Sequence, residues 1–158
     1  MPLPAEESGV EFAEALRTVA VNSAYSASRA LSKWFKRGVR LTCDGFKSLP
    51  IQEVASIAGS PETPVAAIHM ALTGDLSGDI LLLFPEQVAM QLCDRMIEAP
   101  PGTTTSIGEM EASCLQETGN IVGSAFTNCL ASWLKLGVIP ASPTVVHDLA
   151  CAVVEPIL

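Results

Sequence analysis

In this 158-residue chain, the residues best placed to do chemistry together are Glu117 and Asn120, with Ser113 one turn before them. At about 100° per residue, helical spacings of four and three put all three within roughly a 60° arc. A carboxylate and a carboxamide then stand side by side on the solvent face. Opposite them Leu115, Val122, Phe126, Cys129 and Trp133 form an apolar stripe, the face expected to be buried. Ser124, Thr127 and Ala131 continue the polar face with small side chains, which would let another protein approach closely. A hydrophilic outer face of an ordinary helix has the same pattern, so residue types alone do not separate the two.

The helix that must hold these residues opens at Ser106 and Glu109, an S-x-x-E capping box, and Gly137 is expected to close it. After it Val138–Val146 reads as an extended segment broken by Pro140 and Pro143, suited to a sheet edge, and Leu149–Val154 as a short apolar helix. Upstream, residues 1–8 read as a loose leader, and Ser8 with Glu11 repeats the capping box. The helix that follows places Ala13, Leu16, Ala20, Ala24, Ala27, Leu31 and Trp34 on one face. Lys33, Lys36 and Arg37 end it, complementing the negative end of the helix dipole, with Gly38 beyond. Val39–Asp44 and Gln52–Ala58 read as short strands, and residues 59–64 as a turn. Val65–Leu72 and Asp79–Phe84 read as the clearest strands, joined in a hairpin, with Asp75 and Asp79 attributed to turn chemistry. A short helix from Pro85 to about Glu98 and a linker over 99–105 complete the reading.

Composition narrows the function. Formal net charge is −8, and 49% of residues are hydrophobic against 16% charged, which argues for a folded domain. Seven of the nine Lys and Arg fall in the first 47 residues, whereas twelve of the seventeen Asp and Glu follow them. Basic residues do not form a stripe with interleaved aromatics, so nucleic acid is not an expected partner. The start of the chain has no signal-like apolar core, and no apolar run reaches the ~20 residues of a membrane span. The five cysteines include no CxxC pair and read as reduced, mostly buried small hydrophobes of a cytoplasmic protein. His69 and His147 are isolated, so no metal site is expected. GxGxxG, P-loop and GxSxG patterns are absent.

The two long helices are related. Leu31, Trp34, Lys36, Gly38 and Val39 match Leu130, Trp133, Lys135, Gly137 and Val138 at a constant offset, whereas the capping boxes match at an offset one shorter. By the shorter offset Asn22 stands opposite Asn120, with Val19 at the position of Glu117 and Ala15 at that of Ser113. By the longer, Val21, Thr18 and Glu14 take those places. The first helix lacks the glutamate in either register. The duplication implies a first repeat at 9–84, a short helix and linker at 85–105, and a second repeat from 106, expected to be cut short at Leu158 before two further strands appear. An apolar sheet edge left open in that way would favour self-association.

Ser113-x3-Glu117-x2-Asn120, followed by 22 residues and Pro143, resembles the signature of the CheC/CheX/FliY family of chemotaxis phosphatases. ASCLQETGNIVG at 112–123 is similar to that family's active helix, and LTGDLSGDILLLF at 72–84 to its hairpin. Within the family the chain most resembles a CheC cut short at its C-terminus. The resemblance implies an α+β fold with pseudo-twofold symmetry, two long helices lying on one face of an antiparallel sheet. It implies a phosphatase acting on the aspartyl phosphate of a CheY-like response regulator. Asn120 would orient the attacking water and Glu117 would dock the regulator through a lysine, with Ser113 and Pro143 as supporting motif residues. Hydrolysis of an acyl phosphate needs chiefly a water held in line, so no covalent intermediate is expected. No cofactor is implied on this chain, and Mg²⁺ would belong to the regulator. A CheD-like deamidase is a second partner the resemblance allows. The alternative it leaves open is a non-catalytic adaptor or flagellar-switch module of the same fold.

Overall fold

The structure is a computed structural model that describes residues 5–58 and 60–154; for 5–11, Ile51, Ala55, Ser56 and Ala58 only the backbone is described. In chain order the elements are α1 (Ala5–Phe35), a 3-10 helix (Ile51–Ala58), β1 (Pro64–Gly74), β2 (Gly78–Pro85), α2 (Glu86–Met96), α3 (Glu109–Leu134), β3 (Val138–Pro140), β4 (Thr144–Leu149) and α4 (Ala150–Val154). The expected α+β architecture is present. β1 is the middle strand of an antiparallel sheet, with β2 on one side and β3 followed by β4 on the other.

β1 is apolar nearly throughout because both of its faces are covered. Ala66 and Ile68 pack with Ala89 and Cys93 of α2 and Leu115 of α3. Val65 and Ala67 point the other way and pack with Ala150 and Val153 of α4. α1 lies against α3 and runs antiparallel to it. Phe12 near the start of α1 meets Trp133 near the end of α3, ring centroids 6.1 Å apart. Farther along, Ala20 and Ala24 share the wall of a cavity of about 570 Å³ with Phe126 and Val122.

Several expected boundaries differ. α1 already runs at Ala5, so Ser8 and Glu11 lie within the helix rather than capping it, and residues 5–8 are no leader; residues 1–4 lie outside the described residues. Val39–Asp44 is not a strand. The backbone N–H groups of Val39 and Leu41 donate instead to Ser32 Oγ and Ser28 Oγ, at 2.9 and 2.8 Å, so serines of α1 take the place of a sheet ladder. The expected strand at 52–58 is the 3-10 helix. The cap of α3 is Gly108, whose N–H donates to Glu111 Oε2 at 3.0 Å, two residues beyond the expected Ser106–Glu109 pair. At the other end Lys135 rather than Gly137 closes the helix, in a left-handed conformation with φ 57°, and Lys36 after α1 does the same with φ 52°.

The 99–105 segment is held firmly. Asp94, 2% exposed, accepts hydrogen bonds from Gly102 N–H and Thr104 N–H, both at 2.7 Å. The Thr104 hydroxyl beside it, its backbone N–H and that of Gly102 hold the Asp94 carboxyl below its usual range. That hydroxyl has no hydrogen-bond partner of ordinary geometry, so the two short N–H bonds carry the effect. A carboxyl with a folded value below its unfolded value of about 3.9 adds stability above that value and loses it as pH falls through the folded one. Asp94→Asn should therefore lower the melting temperature at neutral pH and flatten its decline below about pH 4. Thermal melts across that range check this; parallel curves for the two proteins would contradict it.

The candidate functional site is an exposed helix face

How α3 sits on the sheet decides which of its residues are free. Its buried row is Leu115, Gly119, Gly123 and Thr127, with Thr118 and Leu130 beside it. A Cβ at Gly119 would overlap Ile68 Cγ2, and one at Gly123 would overlap Met70 Sδ, so the two glycines let the helix backbone lie directly on β1. This corrects the expected burial pattern. Of the predicted stripe, Leu115 is fully buried, Val122, Phe126 and Cys129 are half-buried, and Trp133 is 43% exposed. Val122 and Phe126 line the cavity between α1 and β2, and Trp133 meets Phe12 of α1. Thr127, expected on the open face, is wholly buried and donates its hydroxyl to Gly123 O at 2.8 Å, while Ser124 and Ala131 are half-buried.

The remaining arc carries the predicted pair. Asn120 is exposed and Glu117 half-buried, on one side of the helix. Neither side chain hydrogen-bonds or ion-pairs with another described residue. Ser113 is exposed too, but its hydroxyl donates to Glu109 O at 2.9 Å and so is spent on its own helix.

Pro143 is brought to the same helix by a break in the sheet. Ala141 N–H donates to Ala71 O at 2.8 Å, and Thr144 pairs with His69. The edge strand thus gains one residue relative to β1 between those points, a bulge that a proline without N–H accommodates. The bulge buries Pro143, and its carbonyl accepts a hydrogen bond from Gln116 Nε2 at 2.6 Å. Gln116, adjacent to Glu117, was not singled out by the sequence reading; its identity carries no signal until the bulge places a carbonyl in front of it. A second tie fixes the far end of α3. Asp75 in the hairpin loop donates its N–H to Gly137 O, while Gly137 N–H donates to Asp75 Oδ2, both at 2.8 Å. Asp75 therefore does more than shape its own turn.

Gln116→Ala should cost about 1 kcal/mol in denaturant unfolding, the ordinary value of one such bond. Gln116→Glu should cost more, because a carboxylate cannot donate to the Pro143 carbonyl. Equal stability of both variants with the unmutated chain would remove this tie from the account.

Other chemistry is sparse. His69 Nε2 lies 2.6 Å from Asp79 Oδ1, and His147 Nε2 lies 2.7 Å from Glu86 Oε1, each linking neighbouring elements. Burial pushes the Cys93 thiol up to about 12, leaving it unreactive. The five cysteines are free; Cys93 is buried and the others are half-buried. Among the described residues no three His, Cys, Asp or Glu side chains gather to hold a metal ion, and no helix is long and apolar enough to cross a membrane.

The architecture is thus that of an α+β protein whose candidate site is a helix face open to another macromolecule rather than a cleft for a small substrate. Comparison with known proteins agrees on the architecture. The chain is 30% identical over 137 residues to the Bacillus subtilis (strain 168) protein described as CheY-P phosphatase CheC, an alignment that takes in 85% of this chain. It spans 65% of that relative, slightly under two thirds of its length. Among solved structures, Thermotoga maritima FliY shares the fold with a TM-score of 0.76 at 18% identity, over 95% of this chain and 72% of that one. CheX from Desulfovibrio desulfuricans follows the fold with a TM-score of 0.57 at 14% identity, over 84% and 79% of the two chains. No family model matches the chain. The chain is thus similar in sequence to a CheC and shares its fold with FliY and CheX.

Proposed function

We propose that this protein is a cytoplasmic phosphatase for the aspartyl phosphate of a phosphorylated CheY-like response regulator, with Glu117 and Asn120 of α3 as its site. The observation that carries the reading is the pair itself, side by side on a helix face and free of partners among the described residues. The likeness to a relative described as a CheY-P phosphatase supports it. In this reading α3 enters the regulator's phosphorylation pocket. Asn120 holds a water in line with the phosphorus, its amide donating and accepting without changing charge. Glu117 pairs with a lysine of the regulator in a charge-assisted contact. Any Mg²⁺ is the regulator's and neutralises the phosphoryl oxygens there. Pro143 and Ser113 serve by shaping the helix surroundings, Pro143 through its carbonyl on Gln116.

The division of the chain into related units, 9–84 and 106–158 around a connecting 85–105, belongs to the same proposal. Only the second unit carries the glutamate, so the protein acts through one helix. Glu117→Ala tests the docking role. It should weaken binding to a regulator carrying a stable phosphoryl mimic, and the defect should shrink at high salt, where the charge pair is screened in the unmutated protein as well. A salt-independent defect would mean that Glu117 acts otherwise than as a charge. Binding without phosphate release by the unmutated protein would favour the adaptor reading.

A further inference from the structure

The cationic end of α1 has a use that the Glu117–Asn120 pair does not explain. Arg29, Lys33, Lys36, Arg37 and Arg40 are all exposed, and none forms an ion pair with a described residue. They lie together: Arg29 and Lys33 are one helical turn apart, Lys36 and Arg37 form the turn that ends α1, and Arg40 folds back beside Tyr25 and Ser28. Two large aromatic side chains stand among them in solvent, Tyr25 at 67% and Trp34 at 51% exposure, so the fold gathers a basic patch with aromatics that the sequence reading did not expect. Of the five only Lys33 lies in the last turn of α1, so complementing the helix dipole does not account for the group.

Their position relative to the candidate site follows from the helix packing. α1 and α3 run antiparallel, with Phe12 against Trp133 and Ala24 level with Val122. Continuing that register sets Arg29 and Lys33 roughly level with Gln116 and Ala112, beside the turn that carries Ser113 and Glu117. The positive patch is thus level, along the helix axes, with the turn of α3 that carries Ser113 and Glu117.

The charge of the whole chain supplies the reason. At −8 the protein repels an anionic partner at long range, and a protein carrying a phosphoryl group in a carboxylate-lined pocket is such a partner. We propose that the cationic end of α1 steers the acidic face of the phosphorylated regulator toward α3, offsetting that repulsion near the level of the candidate site. The inference rests on the function proposed above and adds to it the surface that governs encounter. An acidic protein face is favoured over nucleic acid or an anionic membrane because the patch is level with the candidate site and the remainder of the chain is strongly acidic.

Stopped-flow association with a CheY-like regulator bearing a stable phosphoryl mimic tests this, with phosphate release measured alongside. Lys33→Glu/Lys36→Glu/Arg37→Glu should lower the association rate constant about tenfold or more at low salt. It should converge with the unmutated protein at about 0.3 M salt, while the dissociation rate changes little. The neutral Lys33→Gln/Lys36→Gln/Arg37→Gln variant should fall between, which guards against a folding defect in the reversed one. If the unmutated protein binds the regulator and releases phosphate while the variants associate equally fast at every salt concentration, the steering role is overturned and the phosphatase reading stands. No binding by the unmutated protein would end both. If the substitutions abolish capture on single-stranded RNA or phosphatidylserine vesicles but leave association with the regulator untouched, the patch serves one of those partners and the inference is wrong.

Discussion

Asn120→Ala should reduce the rate at which the protein releases phosphate from a phosphorylated regulator by about 100-fold or more. That corresponds to about 2.7 kcal/mol of barrier, the scale for removing one positioned polar group from a site where little else is done to the reacting atoms. The loss should fall on turnover and spare binding, because Asn120 is exposed on α3 and bonds to no other described residue in the free protein. For the same reason stability should stay within about 0.5 kcal/mol of the unmutated chain. Single-turnover phosphate release, set against affinity for the phosphoryl-mimic form, separates the two effects. Equal losses in both would make Asn120 a docking residue and leave the water without its proposed holder.

The second large effect concerns how α3 is seated. Gly119→Ala should destabilise the fold by about 2 kcal/mol, in spite of the roughly 1 kcal/mol that alanine gains over glycine inside a helix. The new Cβ would meet Ile68, which is wholly buried in the middle strand and, being β-branched, has little freedom to turn aside. At this chain length the melting temperature should fall by roughly 4–8 °C. Gly123→Ala meets the flexible thioether of Met70 instead, and its overpacking and propensity terms should nearly cancel. A thermal melt of both variants decides it; a Gly119→Ala protein at least as stable as its parent would mean that the helix does not rest on β1 as described. The pair connects packing to function, since any lift of α3 off β1 also moves Glu117 and Asn120.

Much of this arrangement is legible in the sequence. The long helices, the β1–β2 hairpin, α2 and the proline-broken edge strand follow from periodicity and turn residues, and Ser113-x3-Glu117-x2-Asn120 marks the open arc of α3. The face beneath was misread for a definite reason. A hydrophobic stripe marks burial only when apolar side chains fill the interface, whereas here two glycines and a threonine bring the backbone onto β1, Val122 and Phe126 line a cavity between α1 and β2, and Trp133 meets Phe12 of α1. Val39–Asp44 misled differently. Its β-branched composition favours extended backbone, but a strand also needs a ladder, and the N–H groups of Val39 and Leu41 are taken by Ser32 and Ser28. Gln116 illustrates a third limit. Its partner, the Pro143 carbonyl, is set by a one-residue change of register between β1 and the edge strands, which no local pattern announces.

The central claim is that one helix carries the activity. Its most direct test is phosphate release from a phosphorylated CheY-like regulator by the unmutated protein, Asn120→Ala and Asn22→Ala, side by side at equal concentration. Asn22 is exposed on α1 and faces Asn120 by the shorter repeat offset, but that helix has Val19 where α3 has Glu117. The account predicts accelerated release by the unmutated protein, loss of that acceleration in Asn120→Ala, and full retention in Asn22→Ala. Equal losses in the two variants, or no acceleration by the unmutated protein, would contradict it.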